Sequence, residues 1–213
     1  MPAASDDDVS RRFVVAAAAE ICLGLLGLFL GWWIGPDSRA HVPSLSDAER
    51  LSEGIVLGVC LGAVLAAAVF ALSALPWRGL KELQELMESR LAGFLHPMTR
   101  AELIVLSMAA GLGEELLFRG WLQQGLFELL GAEHNLGMGL LAVLIASLLF
   151  GLAHPMTPLY IVLATGMGMV LGAIYWLTGN LLCAIVAHAV YDAVILLKWN
   201  HDMNHEARER NAS

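Results

Sequence analysis

Glu114, Glu115, Arg119, His154, His188 and Asp192 all stand in or at the ends of otherwise apolar runs. An ionisable side chain within an apolar helix of membrane length is costly, so its first reading is functional. Spacing divides the set into roles. Glu115 and Arg119 are four residues apart, face each other on one helix and can pair. In low dielectric the pair is far safer than either charge alone. Glu114 is rotated about 100° from Glu115 and has no partner on its own helix. Its charge needs a stabilising neighbour, and His154 and His188 are the candidates, directly or through a water. His188 and Asp192 are again four apart, so the carboxylate could fix the imidazole tautomer. Phe150 lies one turn before His154 and could wall the site against lipid.

A glutamate whose charge is tuned by imidazoles suits general-base activation of water. The same groups could serve a proton relay, although no internal repeat of the kind many transporters carry is visible. Glu114, His154 and His188 could also supply the three ligands of an open zinc site. No HExxH is present, and a glutamate bound to metal cannot easily act as the base as well. The residues therefore favour no cofactor, with divalent zinc the alternative. His201 and His205 share a helical spacing but fall in a polar segment and read as solvated. Glu20, in the first apolar run, is an isolated ionisable residue.

These residues need helices to position them. Of the 213 residues, 58% are hydrophobic and 15% charged, against about 25% charged in a soluble domain. Mean hydropathy is +0.68. Apolar runs near the roughly 20 residues that cross hydrocarbon occur at 13–34, 54–75, 136–153, 158–177 and 181–199. A sixth helix, 100–130, is apolar apart from Glu114, Glu115 and Arg119. Segment 78–94 has Leu80, Leu83, Leu86, Met87 and Leu91 at helical spacing with charges between them. It reads equally as a surface amphipathic helix or as a connector packed on the bundle. His96-Pro97 marks a break, and Gly166, Gly168 and Gly172 would let helices approach closely. The expected fold is all-α: a polytopic transmembrane bundle of about six spans plus an interfacial amphipathic helix. A polar N-terminal segment (1–12) precedes two helices and a connector (13–99), the ionisable core (100–199) and a polar tail (200–213). The core levels match only if helix 100–130 tilts or starts deep.

Net charge −8 and the lack of a basic stripe argue against nucleic acid. Cys22, Cys60 and Cys183 are scattered through apolar runs and suggest neither disulfides nor a zinc ribbon. The run from residue 13 is too long for a signal-peptide core and ends in Trp32-Trp33, an interfacial anchor. Arginine and lysine gather in the segments that share a side with the N-terminus, which predicts both termini in the cytosol.

The motifs resemble a known family. Glu114-Glu115-Leu-Leu-Phe-Arg119 is similar to EExxxR, Phe150-Gly-Leu-Ala-His154 to FxxxH, and His188-Ala-Val-Tyr-Asp192 to HxxxN/D. In that order, over about residues 100–199, they resemble the CPBP family of intramembrane proteases. That family includes the type II CAAX prenyl endopeptidases and the bacteriocin-processing or self-immunity proteins, and it is often classed with the metalloproteases. The resemblance implies an endopeptidase of a bacterial-type plasma membrane. Its substrates would be peptides or proteins in or tethered to the bilayer, prenylated CAAX-type among them. The alternative is a non-catalytic membrane partner or self-immunity factor with the same fold. The family pattern makes Glu114 the activator of water, His154 its helper, and His188 with residue 192 the oxyanion stabilisers. Asp192 departs from the asparagine usual in prenyl proteases, and an ionised aspartate cannot donate a hydrogen bond.

Overall fold

The computed structural model describes residues 6–95 and 98–212. The described residues are helical with short connections: α1 (Asp6–Ile34), α2 (Ala48–Ser73), α3 (Arg78–Leu95), α4 (Arg100–Glu115), a π-helical turn (Leu116–Gln123), α5 (Gln124–Leu130), α6 (Leu136–Leu152), α7 (Pro158–Thr178) and α8 (Leu181–Ala212). A 3₁₀ turn, Ala132–His134, joins α5 to α6. The break expected at His96-Pro97 lies outside the described residues.

Local chemistry sets the helix ends. Thr99 and Glu102 form a reciprocal capping box at the start of α4, satisfying two otherwise orphaned amides. Asn135 caps α6, Thr157 caps α7 with Pro158 in its first turn, and Gly179 ends α7 in the left-handed region at φ 58°. Lipid-length apolar windows occur in four helices: Ser10–Ile34, Ala48–Ser73, Pro158–Thr178 and Leu181–His205. Among the described residues, these four helices are long and apolar enough to cross a membrane.

Several features differ from the sequence reading. The helix expected over 100–130 is interrupted by the π turn, which falls where Arg119 and Gln123 are buried. α6 is only 17 residues long, about 25 Å, and so shorter than a hydrocarbon core. Helix α8 runs on through the polar residues to Ala212, and α1 begins at Asp6, within the polar N-terminal segment.

Helices α2 and α8 pack through a row of small residues. Gly54, Gly58 and Gly62 are buried and face Leu182, Val186 and Val190. A Cβ on Gly62 would stand 2.6 Å from the backbone oxygen of Ala187. Removing side chains there lets the backbones approach, which is how helices associate without a hydrophobic drive between them. Around the site, the core is built from Leu116, Leu171, Tyr175, Leu181, Ala184, Ile185 and Ala187. Helix α3 buries Leu80 and Leu83, and Gly79 lies beside Leu159 at the start of α7. It is therefore packed on the bundle along one face while its charged face stays exposed.

The glycine row makes a prediction. Gly62→Val is expected to destabilise the protein by roughly 1–3 kcal/mol through overpacking. Gly166→Ala on α7, where a Cβ meets nothing within 4 Å, is expected to be neutral or mildly stabilising. Thermal unfolding in detergent reads both, and equal midpoints for the two variants would contradict the packing argument.

Candidate active site

Helices α4 and α8, the π turn and the end of α6 bring the expected residues together. Glu114 and Glu115 close α4, buried to 7% and 0% exposure. The rotation between them sends the two carboxylates to different partners. Glu115 Oε1 accepts from Arg119 Nη1 at 2.7 Å and lies 2.8 Å from His188 Nδ1. Arg119 is 1% exposed. It donates from Nη2 to the carbonyl of Gly168 at 3.1 Å, and Phe150 covers its guanidinium at 4.4 Å from the ring centroid. One turn on, Gln123 donates to the carbonyl of Gly172 at 3.0 Å. The two acceptors are glycines of α7, and a Cβ on Gly172 would stand 2.5 Å from Gln123 Oε1. These are the close approaches expected of the α7 glycines, whereas Gly166 faces open space.

Glu114 points the other way. Its Oε1 is 3.6 Å from His154 Nε2, and its Oε2 is 4.0 Å from His188 Nε2. Oε2 is buried and has no hydrogen-bond partner in the chain. Asp192 Oδ2 is 3.6 Å from His188 Nε2. Phe150 packs against His154 and His188, with centroids 4.8 and 5.9 Å apart, and meets Phe118 edge-on. It covers one side of both imidazole rings. Glu114 comes within 4.0 Å of both His154 and His188 across α4, the end of α6 and α8, so the three share one level of the bundle.

Hydrogen-bond logic assigns the ring nitrogens. His154 Nδ1 lies 2.8 Å from the carbonyl of Phe150. A carbonyl can only accept, so Nδ1 carries the hydrogen, and in the neutral ring Nε2 is an acceptor facing Glu114. His188 is held at Nδ1 by Glu115, not by Asp192 as helical spacing suggested. The reason is geometric: Asp192 lies nearer the other nitrogen and beyond hydrogen-bond length. With Nδ1–H given to Glu115, Nε2 of His188 carries a hydrogen only in the doubly protonated ring.

Sequence reasoning missed Gln123, the Gly168 and Gly172 carbonyls and Tyr160, whose ring lies 6.2 Å from that of His154. The i, i+4 relation of Arg119 to Gln123 was the available signal for the first. Among the described residues, no three His, Cys, Asp or Glu side chains form a group that could hold a metal ion. His201 and His205 are exposed on α8, with His205 Nδ1 3.4 Å from Glu209.

Residues 96–194 match the family model described as Type II CAAX prenyl endopeptidase Rce1-like. This segment is similar to that family. The match bears out the resemblance to the CPBP proteases and runs over 96–194 rather than 100–199. The Rce1-like segment contains every residue of the site described above, while α1, α2 and α3 lie before it. No curated protein and no solved structure matches the chain.

The buried pair makes a prediction. Arg119→Ala leaves Glu115 charged and half-partnered inside the bundle, and such a break costs about 3–5 kcal/mol. Arg119→Lys is expected to restore part of that, since an ammonium can reach Glu115 but cannot also reproduce the fork to Gly168. Unfolding midpoints in detergent decide it; an Arg119→Ala protein as stable as the parent would show that the pair does not hold the helices.

Proposed function

We propose that the chain is an intramembrane endopeptidase that cleaves peptides embedded in or tethered to the bilayer through water activated by Glu114. One observation carries the reading: Glu114 is buried with Oε2 unpartnered, and two histidine Nε2 atoms face its carboxylate. The family of residues 96–194 supports a protease, and CAAX-type prenylated substrates are the expectation that follows.

In this reading a water lies between Glu114 and the Nε2 lone pair of His154. Glu114 takes one proton, and the water oxygen attacks the scissile carbonyl carbon. As that C–O bond forms, the carbonyl oxygen gains negative charge, which His188 stabilises by donating from Nε2 in its protonated state. Donors aimed at a developing oxyanion are commonly worth several kcal/mol. The C–N bond then breaks as Glu114 returns its proton to the leaving nitrogen. Asp192 adjoins the same nitrogen of His188 and supports its positive charge, so an aspartate serves at a position where an ionised carboxylate could not itself donate. Glu115 and Arg119 hold the imidazole and the helix end in register. The reading is metal-free, with zinc held by Glu114, His154 and His188 the competing case. We place six crossings in the membrane, the shorter α6 and the broken α4–α5 helix among them, with both termini cytosolic.

Glu114→Gln is expected to lower turnover of a membrane-tethered peptide reporter by ~10²–10⁴-fold or more while the unfolding midpoint holds. Stringent chelation is expected to leave wild-type turnover unchanged. Retained activity in Glu114→Gln would remove the assigned base, and zinc-reversible loss on chelation would overturn the metal-free route.

A further inference from the structure

Polar side chains gather at a second place, where the start of α4 meets the polar end of α8. Arg100, His201, Asn204 and His205 line a cavity of about 340 Å³ there, within the roughly 300–1,000 Å³ range of ligand pockets. Amides hold its walls together. Asn200, 7% exposed, donates from Nδ2 to the carbonyl of Met98 at 3.3 Å, and Asn204 donates to the carbonyl of Asn200 at 2.7 Å. These bonds fix the approach to α4 against one turn of α8. Met98, Leu103 and Leu106 pack there with Leu196, Leu197 and Trp199, so the cavity adjoins an apolar cluster. His205 also ends the lipid-length segment of α8. With α8 across a bilayer, the cavity lies where hydrocarbon gives way to headgroups.

The lining has one permanent cation and no carboxylate. Carboxylates nearby in sequence are engaged elsewhere: Glu102 accepts from the Thr99 amide at 2.7 Å in the α4 cap, and Asp202 from Lys198 at 2.6 Å. Glu209 lies 3.4 Å from His205 Nδ1, an exposed pair that does not use Nε2 of that ring. Among the described residues no ion pair uses Arg100. A guanidinium can fork onto two phosphate oxygens, and imidazole N–H groups add further donors. A metal fits less well, because Arg100 shares the cavity and no three His, Cys, Asp or Glu side chains form a metal-holding group among the described residues. We propose that this cavity binds a phosphate-bearing anion through Arg100, His201 and His205, as basic pockets at a membrane face bind the headgroup of an anionic phospholipid. The proposal does not depend on Glu114 being the base. It also goes beyond the matched segment, since His201, Asn204 and His205 follow residue 194.

The test is binding by the full-length protein, stripped of lipid in a neutral detergent and read by native mass spectrometry. The probes are dioleoyl phosphatidylglycerol, dioleoyl phosphatidylcholine and inorganic phosphate. Wild type is expected to retain phosphatidylglycerol over phosphatidylcholine. Arg100→Gln is expected to weaken that retention about fivefold, the weight of one basic residue at an anionic surface. Adding His201→Gln and His205→Gln is expected to weaken it further. Arg100→Lys keeps the charge without the fork and is expected to recover part of the loss. Arg78→Gln removes an exposed arginine already paired with Glu82 and is expected to leave retention unchanged. The three lining side chains changed are exposed, so unfolding midpoints are expected to hold. Inorganic phosphate separates the sources: if it displaces the lipid the site takes free anion, and if it does not the site is specific to the headgroup. Equal retention of the two lipids overturns the proposal, as does an equal effect of Arg100→Gln and Arg78→Gln. Zinc binding that the histidine changes abolish, with neither lipid nor phosphate bound, would make the cavity a metal site and overturn it too.

Discussion

One oxygen organises this bundle. Glu115 Oε1 is shared by Arg119 at 2.7 Å and His188 at 2.8 Å, and it ties the end of α4 to the π turn and to α8. In an apolar interior none of these groups can be left alone, because breaking one partnership exposes another to a large desolvation cost. The constraint spreads outward. Arg119 must also find the Gly168 carbonyl and the face of Phe150, which fixes α7 and α6 around the same centre. The π turn sits in this dense region, as such interruptions often do at functional sites.

This arrangement makes the two adjacent glutamates unlike. Glu115 is saturated on one oxygen and sealed from solvent, so it is a scaffold. Glu114 is turned toward His154 and His188 at 3.6 and 4.0 Å, beyond direct hydrogen-bond length. The scaffold also dictates what the histidines can do. Phe150 takes the Nδ1 hydrogen of His154, and Glu115 takes that of His188. Both rings therefore present Nε2 to Glu114, and the difference between accepting and donating reduces to whether a ring carries its second proton.

Some of this was legible in the sequence because one-helix periodicity is a strong signal. The Glu115–Arg119 pair, the turn from Phe150 to His154 and the separate face of Glu114 all follow from residue spacing. What spacing cannot reveal is which residues of different helices meet. Asp192 looked like the natural partner of His188 because it lies one turn away, yet Glu115 from α4 takes that place. Glu20 looked isolated for the same reason, and the α1–α4 crossing sets its backbone carbonyl against Gly113, next to Glu114. The helix expected over 100–130 runs from Arg100 to Leu130, but its hydrogen-bond register becomes π over Leu116–Gln123, at a buried polar cluster that residue spacing could not reveal. The α7 glycines were visible, but only Gly168 and Gly172, which receive Arg119 and Gln123, act as close-approach points.

The exposure of the site groups gives it a direction. Glu115 and Arg119 are almost fully enclosed, whereas the side chains of His154 and Asp192 each remain 27% exposed. The cluster is therefore dry at its structural end and reachable at the end where α6 gives way to α7. Hydrolysis inside a bilayer needs that asymmetry. On the proposed reading, water and a peptide segment would have to reach Glu114, while the charges that hold Glu114 in place would have to stay beyond competition from water. Thr157 caps α7 three residues after His154, with Pro158 in its first turn, and the histidine ring is held by the Phe150 carbonyl on α6. A site open from the Arg119 side would weaken the ion pair that aligns it. Access through the His154–Asp192 side leaves that pair intact while its neighbours react.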